Sequence, residues 1–389
     1  MKSKLLLGLG IVANTVILFL LSFWLMSLPW LASDEKLMIW ATSLVKLVQR
    51  EVPSSERFAL VNTSYDLTLI DRYDEFGFPV GNQAITDRSK LSLLLDIVNS
   101  GEAKPDMMFF DILFESQTEE DSTLESELQQ LSSHMLSYHL DDNEEPLLPV
   151  ISGVNIGLSD YVVGNIFEGV YKYQLVYKDS LHLSPLRIYE MLNNVRAEKQ
   201  GPFVKLGEYT TLNNFIINYR VLQKDIDDLE AGFNPINLGE LLLLPDEDIQ
   251  AYLADKIVVI GDFRANDFHE TLFELTAGPL ILVNVLLSLE SKDTYINWLF
   301  FVLLTSAFLY LSYMSLTDKD VIEEAIQRRF GNIAIAKYVA GFASYLGILT
   351  LLSITTFFIF NIHLNVFFLA CYLYGVDKVN AIIRRRLSA

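Results

Sequence analysis

The side chains best suited to bind a ligand follow the predicted strands of the sequence. Acidic, imidazole and hydroxyl groups crowd the segment GDFRANDFHETLFELTAGP, directly after a predicted strand at 255–263. A strand predicted at 105–114 also ends near an aspartate, and DRYDE follows an earlier strand. Because ligands of open α/β sheets gather beyond the carboxyl ends of strands, these groups predict a pocket for a hard cation or another small ligand. The candidate residues are Asp71, Asp74, Asp111, Asp262, Asp267, His269 and Thr271.

A structural role is the alternative for the same side chains, and it is their commoner use. They would then serve as helix N-caps and loop hydrogen-bond acceptors, with Arg88 and Arg264 as ion-pair partners. Their spacing matches neither the twelve-residue calcium loop nor the His-Glu-x-x-His motif. The sequence therefore predicts no metal site and no cofactor.

Motifs for catalysis are absent from the sequence. There is no Gly-x-Ser-x-Gly elbow, phosphate-binding loop or kinase signature. His134, His139 and His182 are predicted on helices or loops, where an ordinary surface role is expected. The only cysteine, Cys371, excludes a disulfide framework and a cysteine-based metal site. We expect no enzymatic activity and assign no catalytic residue.

Three uncharged stretches are long enough to cross a bilayer, whose ~30 Å core needs ~20 helical residues. They cover 5–33, 294–317 and 338–376. The last has 39 residues and would make a single helix of ~58 Å, so it must cross twice. Asn361, His363 and Asn365 form a polar break that suits the turn. The predicted segments are an anchor at 1–33, spans at 296–316, 338–360 and 364–383, an amphipathic loop at 317–337 and a basic tail at 384–389.

Charge is divided between the predicted segments, although 51% of the chain is hydrophobic and disorder is excluded. Residues 34–293 contain 44 acidic and 19 basic residues, whereas the rest contains 5 and 10. The overall charge of −20 argues against nucleic acid as a partner. Lys2 and Lys4 place the N-terminus in the cytoplasm by the positive-inside rule, and the basic tail lies on the same side. The chain is expected in the bacterial cytoplasmic membrane, crossing it several times, with its large acidic domain outside.

Two points of this topology have alternatives. The first stretch resembles a signal peptide at Leu31-Ala32-Ser33, but its apolar core exceeds the ~7–15 residues of a signal sequence, which favours an uncleaved anchor. If the fourth segment does not cross, the arginines at 384–386 lie outside, against the charge rule.

The outer domain, at 34–295, is predicted to be an α/β fold with a mixed, mainly parallel sheet and flanking helices. Asp87 is a predicted N-cap and Gly101 closes the same helix. Ser122 and Glu125 form a capping box for a helix whose apolar face continues through Met135. The other predicted elements are helices at 34–51, 185–196 and 279–289, the last leading straight into the second span, and strands at 57–63, 105–114, 147–154 and 255–263.

Small residues in the third span could form a helix-packing face. Ala340, Ala343, Ser344 and Gly347 recur at spacings of three and four, which lets helices approach closely in lipid. Packing within the four-span bundle is favoured over a dimer or partner face, and an oligomer stays possible.

The order of segments and several motifs resemble the type-two CHASE domain, the cyclase/histidine-kinase-associated sensory extracellular domain. The matching motifs are FDILF at 110–114, VVIG at 258–261, and the later Asp267, Thr271, Gly278 and Pro279. The resemblance covers about residues 30–380 and implies an extracellular sensory α/β domain. Family members continue into a cyclase, kinase or phosphodiesterase, whereas the last residues here, 384–389, hold no such module, which predicts a stand-alone form.

Together these features predict a membrane-anchored sensor or scaffold that binds a ligand or protein outside. It would act through the lipid-embedded bundle on one or more membrane or envelope proteins, including a separately encoded effector. The alternative is a structural subunit of a bacterial secretion, transport or assembly complex in the envelope.

Overall fold

The computed structural model describes residues 2–28, 33–48, 50–73, 76–161, 169–228, 231–317 and 334–388. The chain folds into two compact units. The α/β unit comprises Arg50–Glu198 and Ile217–Ser291, and the helical unit comprises Met1–Gln49, Lys199–Ile216 and Lys292–Ala389. The predicted outer domain at 34–295 thus contributes its first residues, the segment Lys199–Ile216 and its last residues, from Lys292, to the helical unit.

The described elements have the following bounds. Helices are α1 (Lys2–Met26), α2 (Ser33–Val48), α3 (Arg88–Ser100), α4 (Asp121–Gln130), α5 (Ser184–Asn193), α6 (Gln223–Asp227), α7 (Leu238–Leu241), α8 (Asp246–Leu253), α9 (Gly278–Glu290), α10 (Trp298–Thr317), α11 (Ala334–Phe360) and α12 (Val366–Ser388). Strands are β1 (Phe58–Asn62), β2 (Leu67–Tyr73), β3 (Pro79–Thr86), β4 (Met107–Asp111), β5 (His134–Leu140), β6 (Pro146–Leu147), β7 (Ile156–Leu158), β8 (Lys172–Gln174), β9 (Val176–Tyr177), β10 (Leu181–His182), β11 (Ala197–Gln200), β12 (Phe203–Leu206), β13 (Tyr209–Leu212), β14 (Asn214–Ile216), β15 (Ile236–Asn237), β16 (Ile257–Gly261), β17 (Phe268–Glu270) and β18 (Leu275–Ala277).

A mainly parallel sheet forms the centre of the α/β unit. Its strand order is β15-β1-β16-β4-β5, with β7 parallel and β6 antiparallel to β5. Asn62, Gly261 and Asp111 lie side by side in the register of β1, β16 and β4. Because these strands are parallel, their carboxyl ends share one edge of the sheet, which agrees with the predicted α/β fold.

Buried apolar runs explain why these strands occupy the centre. Every residue of β1 and β16 is buried, as a strand covered on both faces requires. Side chains from one face, such as Val61 and Ile260, join the apolar stripes of α3 and α4 in one continuous core. Asp87 caps α3 through the backbone N–H groups of Ser89 and Lys90, as the sequence predicts.

The segment after β4 differs from the sequence prediction. Helix α4 begins at Asp121, whose carboxylate accepts the Thr118 backbone N–H at 2.9 Å, so the predicted capping box of Ser122 does not start it. The helix ends at Gln130, and Met135 belongs to the buried strand β5 instead. The predicted strand at 147–154 is mostly irregular, with only Leu147 in a short edge strand.

A hairpin of β2 and β3 pairs only with itself among the described strands. It has antiparallel register, for example Leu69 opposite Ala84, and its outer strand β3 is largely exposed. Leu69 and Val80 are 68% and 57% exposed. The hairpin therefore exposes apolar side chains at the surface of the α/β unit.

Four described helices of the helical unit are long and apolar enough to span a membrane, which matches the predicted number. They cover Lys4–Met26, Trp298–Thr317, Gly341–Phe360 and Val366–Arg386. Residues 361–365 break the helix between the last two, as the polar residues there predict. The predicted loop at 317–337 lies almost wholly outside the described residues.

Buried polar side chains connect three of these helices. Asn14 in α1 donates to the Ser312 hydroxyl of α10 at 3.0 Å, and the Tyr372 hydroxyl of α12 donates to Asn14 Oδ1 at 2.7 Å. In α11, Ser344 is buried whereas Gly347 is exposed and has open space at its Cβ position. Ala343 is half-buried, and the side chain of Ala340 lies outside the described part.

The helix before the second span is not continuous with it. Helix α9 ends at Glu290, and α10 begins only at Trp298. Lys292 between them has a left-handed φ of 53°. The prediction that 279–289 leads straight into the span is therefore wrong, because the chain turns between the two helices.

Candidate functional site

A cavity of about 740 Å³ opens at the carboxyl edge of the sheet in the α/β unit. Its polar walls come from residues that end or follow β4, β5, β7 and β16, together with β17. Its acidic and imidazole side chains are Asp111, His139, Asp160, Asp262, Asp267, His269 and Glu270. No lysine or arginine occurs among the described residues that line it. The cavity thus concentrates negative charge.

Asp111 lies at the end of β4 and accepts the Ser137 hydroxyl at 2.8 Å. That hydroxyl continues a buried chain through Ser159 to Ser184, with oxygen separations of 2.6 and 2.7 Å. Burial raises the pKa of Asp111 to about 7, and the neighbouring charge of Asp267 adds to the rise. Ser137 and the cavity histidines partly oppose it. Asp111 therefore exchanges its proton near neutral pH.

His139 and Asp160 form a second polar pair in the cavity. His139 Nδ1 lies 2.7 Å from Asp160 Oδ1, and the Leu140 backbone N–H donates to Asp160 Oδ2 at 2.8 Å. Burial alone would lower the pKa of His139, but the hydrogen bond and the charges of Asp160, Asp111 and Asp267 outweigh it, so the pKa is raised. The pair holds the imidazole in a fixed position.

Asp267 and His269 form a third pair in the cavity. Asp267 Oδ1 lies 2.8 Å from His269 Nε2, and the Asp267 carbonyl accepts the Gly278 backbone N–H at 2.8 Å. A Cβ at Gly278 would lie 2.0 Å from Asp267 Oδ2, so any larger residue there would force the Asp267 carboxylate to move. The Tyr161 ring lies against the His269 ring in a tilted arrangement, with centroids 4.6 Å apart and planes at 57°. Its hydroxyl donates to the Gly278 carbonyl at 2.8 Å.

Asp262 also lines the cavity, but its oxygens hold the loop that follows β16. It accepts backbone N–H groups of Arg264, Ala265 and Asn266 at 2.8–3.0 Å and the Ser64 hydroxyl. Burial favours its neutral form, yet these hydrogen bonds lower its pKa below the usual range. Asp262 therefore accepts hydrogen bonds from its own loop, which is the structural role that the sequence analysis gives as the alternative to ligand binding.

The structure brings together four of the seven candidate residues: Asp111, Asp262, Asp267 and His269. Asp71 lies in the β2–β3 hairpin, where Asn82 donates to it at 3.1 Å. Thr271 closes the turn between β17 and β18 through the Glu274 carbonyl at 2.7 Å. Asp74 lies outside the described residues. Arg88 pairs with Asp121 and Arg264 with Asp227, so neither pairs with a candidate residue.

The sequence analysis missed several cavity residues, among them His139, Asp160 and Tyr161. All three histidines assigned to helices or loops lie on strands, and His134 is buried. The signal that could have found His139 is the run HMLSYHL, which reads as a buried strand. No group of three His, Cys, Asp or Glu side chains is placed to hold a metal within the part of the chain that is described.

The family assignment follows from a match over most of the chain. The CHASE2 domain matches residues 13–316. The chain therefore belongs to the CHASE2 family, whose domain is a sensory extracellular domain, as the sequence resemblance indicates. No curated protein matches the chain, and no solved structure does.

Proposed function

We propose that this protein is a membrane-anchored extracytoplasmic sensor whose cavity binds a small cationic ligand. The single observation that carries the proposal is the acidic cavity at the carboxyl edge of the parallel sheet. This edge is where open α/β sheets bind ligands. Membership of a sensory family supports reception of a signal rather than catalysis.

A cation fits the cavity because its titratable lining is acidic or imidazole. Asp160 and Asp267 add two carboxyl groups, each paired with a histidine, and Asp111 adds a negative charge when it loses its proton. Tyr161 and Phe268 supply aromatic surface, on which an organic ammonium group can lie. A volume of about 740 Å³ suits a small molecule.

The four spanning helices and the acidic outer segment support placement in the bacterial cytoplasmic membrane, with the α/β unit outside and both termini inside. Binding would favour one of two arrangements of the helices, which is what signalling requires. Another membrane or envelope protein, such as a separately encoded effector, would respond to that change.

Binding of cations to the full chain in nanodiscs tests the sensor. Probes are putrescine for primary ammonium groups, choline for quaternary ones and arginine for guanidinium groups, each followed by calorimetry and by thermal unfolding. We expect at least one to bind saturably and raise the Tm, and Asp267→Asn and Asp160→Asn to abolish the effect. Asp71→Asn is the matched control, because it removes a carboxylate from the hairpin and not from the cavity. If no probe binds, or if the cavity variants bind as the unaltered protein does, the proposal fails.

A structural subunit of an envelope complex is the second candidate, and the exposed β2–β3 hairpin favours it. Exposed apolar side chains such as Leu69 suit the docking of another protein. Copurification from native membranes separates the two candidates. A stoichiometric assembly that survives in detergent, and that Leu69→Asp disrupts, would favour the structural subunit over the free-standing sensor.

A further inference from the structure

In helix α2 of the helical unit, apolar side chains are exposed and polar side chains are buried. A helix that faces water has the reverse arrangement. The most buried described side chains of α2 are Ile39, Thr42 and Ser43, two of which are polar. Its exposed side chains are Leu37, Trp40, Ala41, Leu44, Val45 and Val48, which we call the exposed stripe. Their spacing of three and one places them along one helix face. Every side chain of that face that the structure describes is apolar.

The buried face of α2 packs against the spanning helices α11 and α12. Thr42 Oγ1 lies 3.2 Å from His363 Nε2 in the turn that joins them. The other ring nitrogen of His363 lies 3.3 Å from the Ser353 hydroxyl, and its ring stacks on Phe357 at 4.3 Å. The Thr42 hydroxyl of α2 thus has a partner inside the unit, in the turn between α11 and α12.

The surface beside this turn is also apolar and exposed. On α11, Phe358 and Ile359 are 51% and 56% exposed, and on α12, Phe367 and Phe368 are 48% and 43% exposed. These are the surfaces that a bilayer would cover near the ends of two spanning helices. The exposed stripe of α2 extends the same kind of surface along a helix that contacts both. Continuity with a lipid-facing surface argues for lipid as its cover.

We propose that α2 is an interfacial helix whose exposed stripe lies against the lipid of the outer leaflet. Such helices bury an apolar face ~5–10 Å into the boundary between headgroups and acyl chains. Trp40, which is 55% exposed, suits this depth because tryptophan is enriched at membrane interfaces. Helix α2 follows the first span in the chain, so lipid contact would hold it at the membrane surface directly after that span.

Tryptophan quenching by brominated lipids tests the proposal in the full chain. The probe protein carries Trp24→Phe, Trp30→Phe and Trp298→Phe, so that Trp40 is its only tryptophan. The control adds Trp40→Phe and Leu243→Trp, because Leu243 is 85% exposed on the α/β unit. In vesicles of phosphatidylcholine brominated near the headgroup end of the acyl chains, we expect the lipid bromines to quench the emission of Trp40. In unbrominated vesicles, we expect iodide in the water not to quench it. The control should show the reverse.

Two outcomes would overturn the proposal. Quenching of Trp40 by iodide and not by brominated lipid would place the stripe in water. Protection from both quenchers, in nanodiscs that hold one copy each, would mean that protein covers the stripe.

Spin labels provide a second measurement if the three tryptophan substitutions prevent folding. Cysteines at Leu44 and Val48, in a Cys371→Ser background, should be more accessible to oxygen than to a water-soluble nickel complex. A label that replaces Leu243 should show the opposite preference. Greater access of nickel at the α2 positions would refute the lipid contact. The test is independent of the cavity, so its failure would leave the sensor proposal standing.

Discussion

The charged form of Asp111 is unfavourable, because the group is buried and lies in the field of Asp267. Its pKa of about 7 in the folded protein exceeds the ordinary value of 3.8. Between these pH values the folded state keeps a proton that the unfolded chain has released. Unfolding therefore releases a proton, so stability falls as the pH rises from about 4 to 7.

Asp111→Asn should remove this part of the pH dependence. The amide keeps an acceptor for the Ser137 hydroxyl and cannot ionise. The rise in pKa from 3.8 to about 7 corresponds to at most ~4 kcal/mol, so the variant should be more stable than the unaltered protein at pH 8. Thermal unfolding of the full chain from pH 4 to 8 measures the slope. Asp71→Asn is the control and should keep the original slope, whereas parallel slopes for all three proteins would contradict the prediction.

Gly278 shapes the cavity through its missing side chain. Gly278→Ala would place a methyl group 2.0 Å from Asp267 Oδ2 and push the carboxylate away from His269. We expect a loss of about 1–3 kcal/mol of stability, because the displaced carboxylate would lose its hydrogen bond to His269. Thermal unfolding measures this loss, and cation binding should weaken with it. Gly347→Ala, where nothing lies within 4 Å, should leave both unchanged. Equal effects of the two substitutions would refute the steric argument.

Strand β5 shows at the scale of elements which part of the site was hidden in the sequence. Leu124, Leu128 and Met135 continue a helical spacing, but α4 ends before Met135 and the chain enters a buried strand. A short apolar run cannot be assigned to helix or strand by periodicity alone. Because the start of β5 was predicted as helix, His139 was not placed at the edge of the sheet. The partner of Asp160 was therefore missed.

The sequence analysis placed side chains at the carboxyl ends of strands, and it did so correctly where the strands were easy to recognise. Strands β4 and β16 are continuous apolar runs, so Asp111, Asp262 and Asp267 could be placed near one edge. Asp71 was misplaced because the chain after β1 forms the β2–β3 hairpin instead of entering the edge loops. Hairpin pairing depends on tertiary environment and does not follow from the composition of DRYDE.

The ion pair between Arg88 and Asp121 fixes α3 to α4. Arg88 has a side chain only 2% exposed, and its guanidinium lies over the Phe114 ring at 5.3 Å. Arg88→Met would leave Asp121 without its charged partner and should cost about 3 kcal/mol, since breaking a buried pair is strongly destabilising. Thermal or chemical unfolding measures the change. Lys178→Met is the matched control, because Lys178 and Glu144 are paired in solvent and should contribute no measurable stability. An equal loss for both would show that burial of the pair does not matter.

Hydropathy predicts the spans of the whole molecule better than it predicts the boundaries of its units. The four predicted spans correspond to four long apolar helices. The grouping of 199–216 with these helices could not be predicted, because it depends on contacts between residues that are far apart in the sequence. Phe203 in β12 packs edge-on against Phe23 of α1 with centroids 5.1 Å apart, and the Tyr209 hydroxyl donates to the Thr294 carbonyl at 3.1 Å.

An even number of spans requires both termini to lie on one side and residues 50–291 on the other. Basic residues flank the spans at Lys2, Lys4 and 384–386, so the termini should be cytoplasmic. In a Cys371→Ser background, Leu243→Cys should react with a membrane-impermeant maleimide in intact spheroplasts, because Leu243 is 85% exposed on the α/β unit. Cysteine at Arg385 should react only after permeabilisation. Reaction of both positions from the same side would mean that α12 or another helix does not cross, and would remove the topology on which the sensor proposal depends.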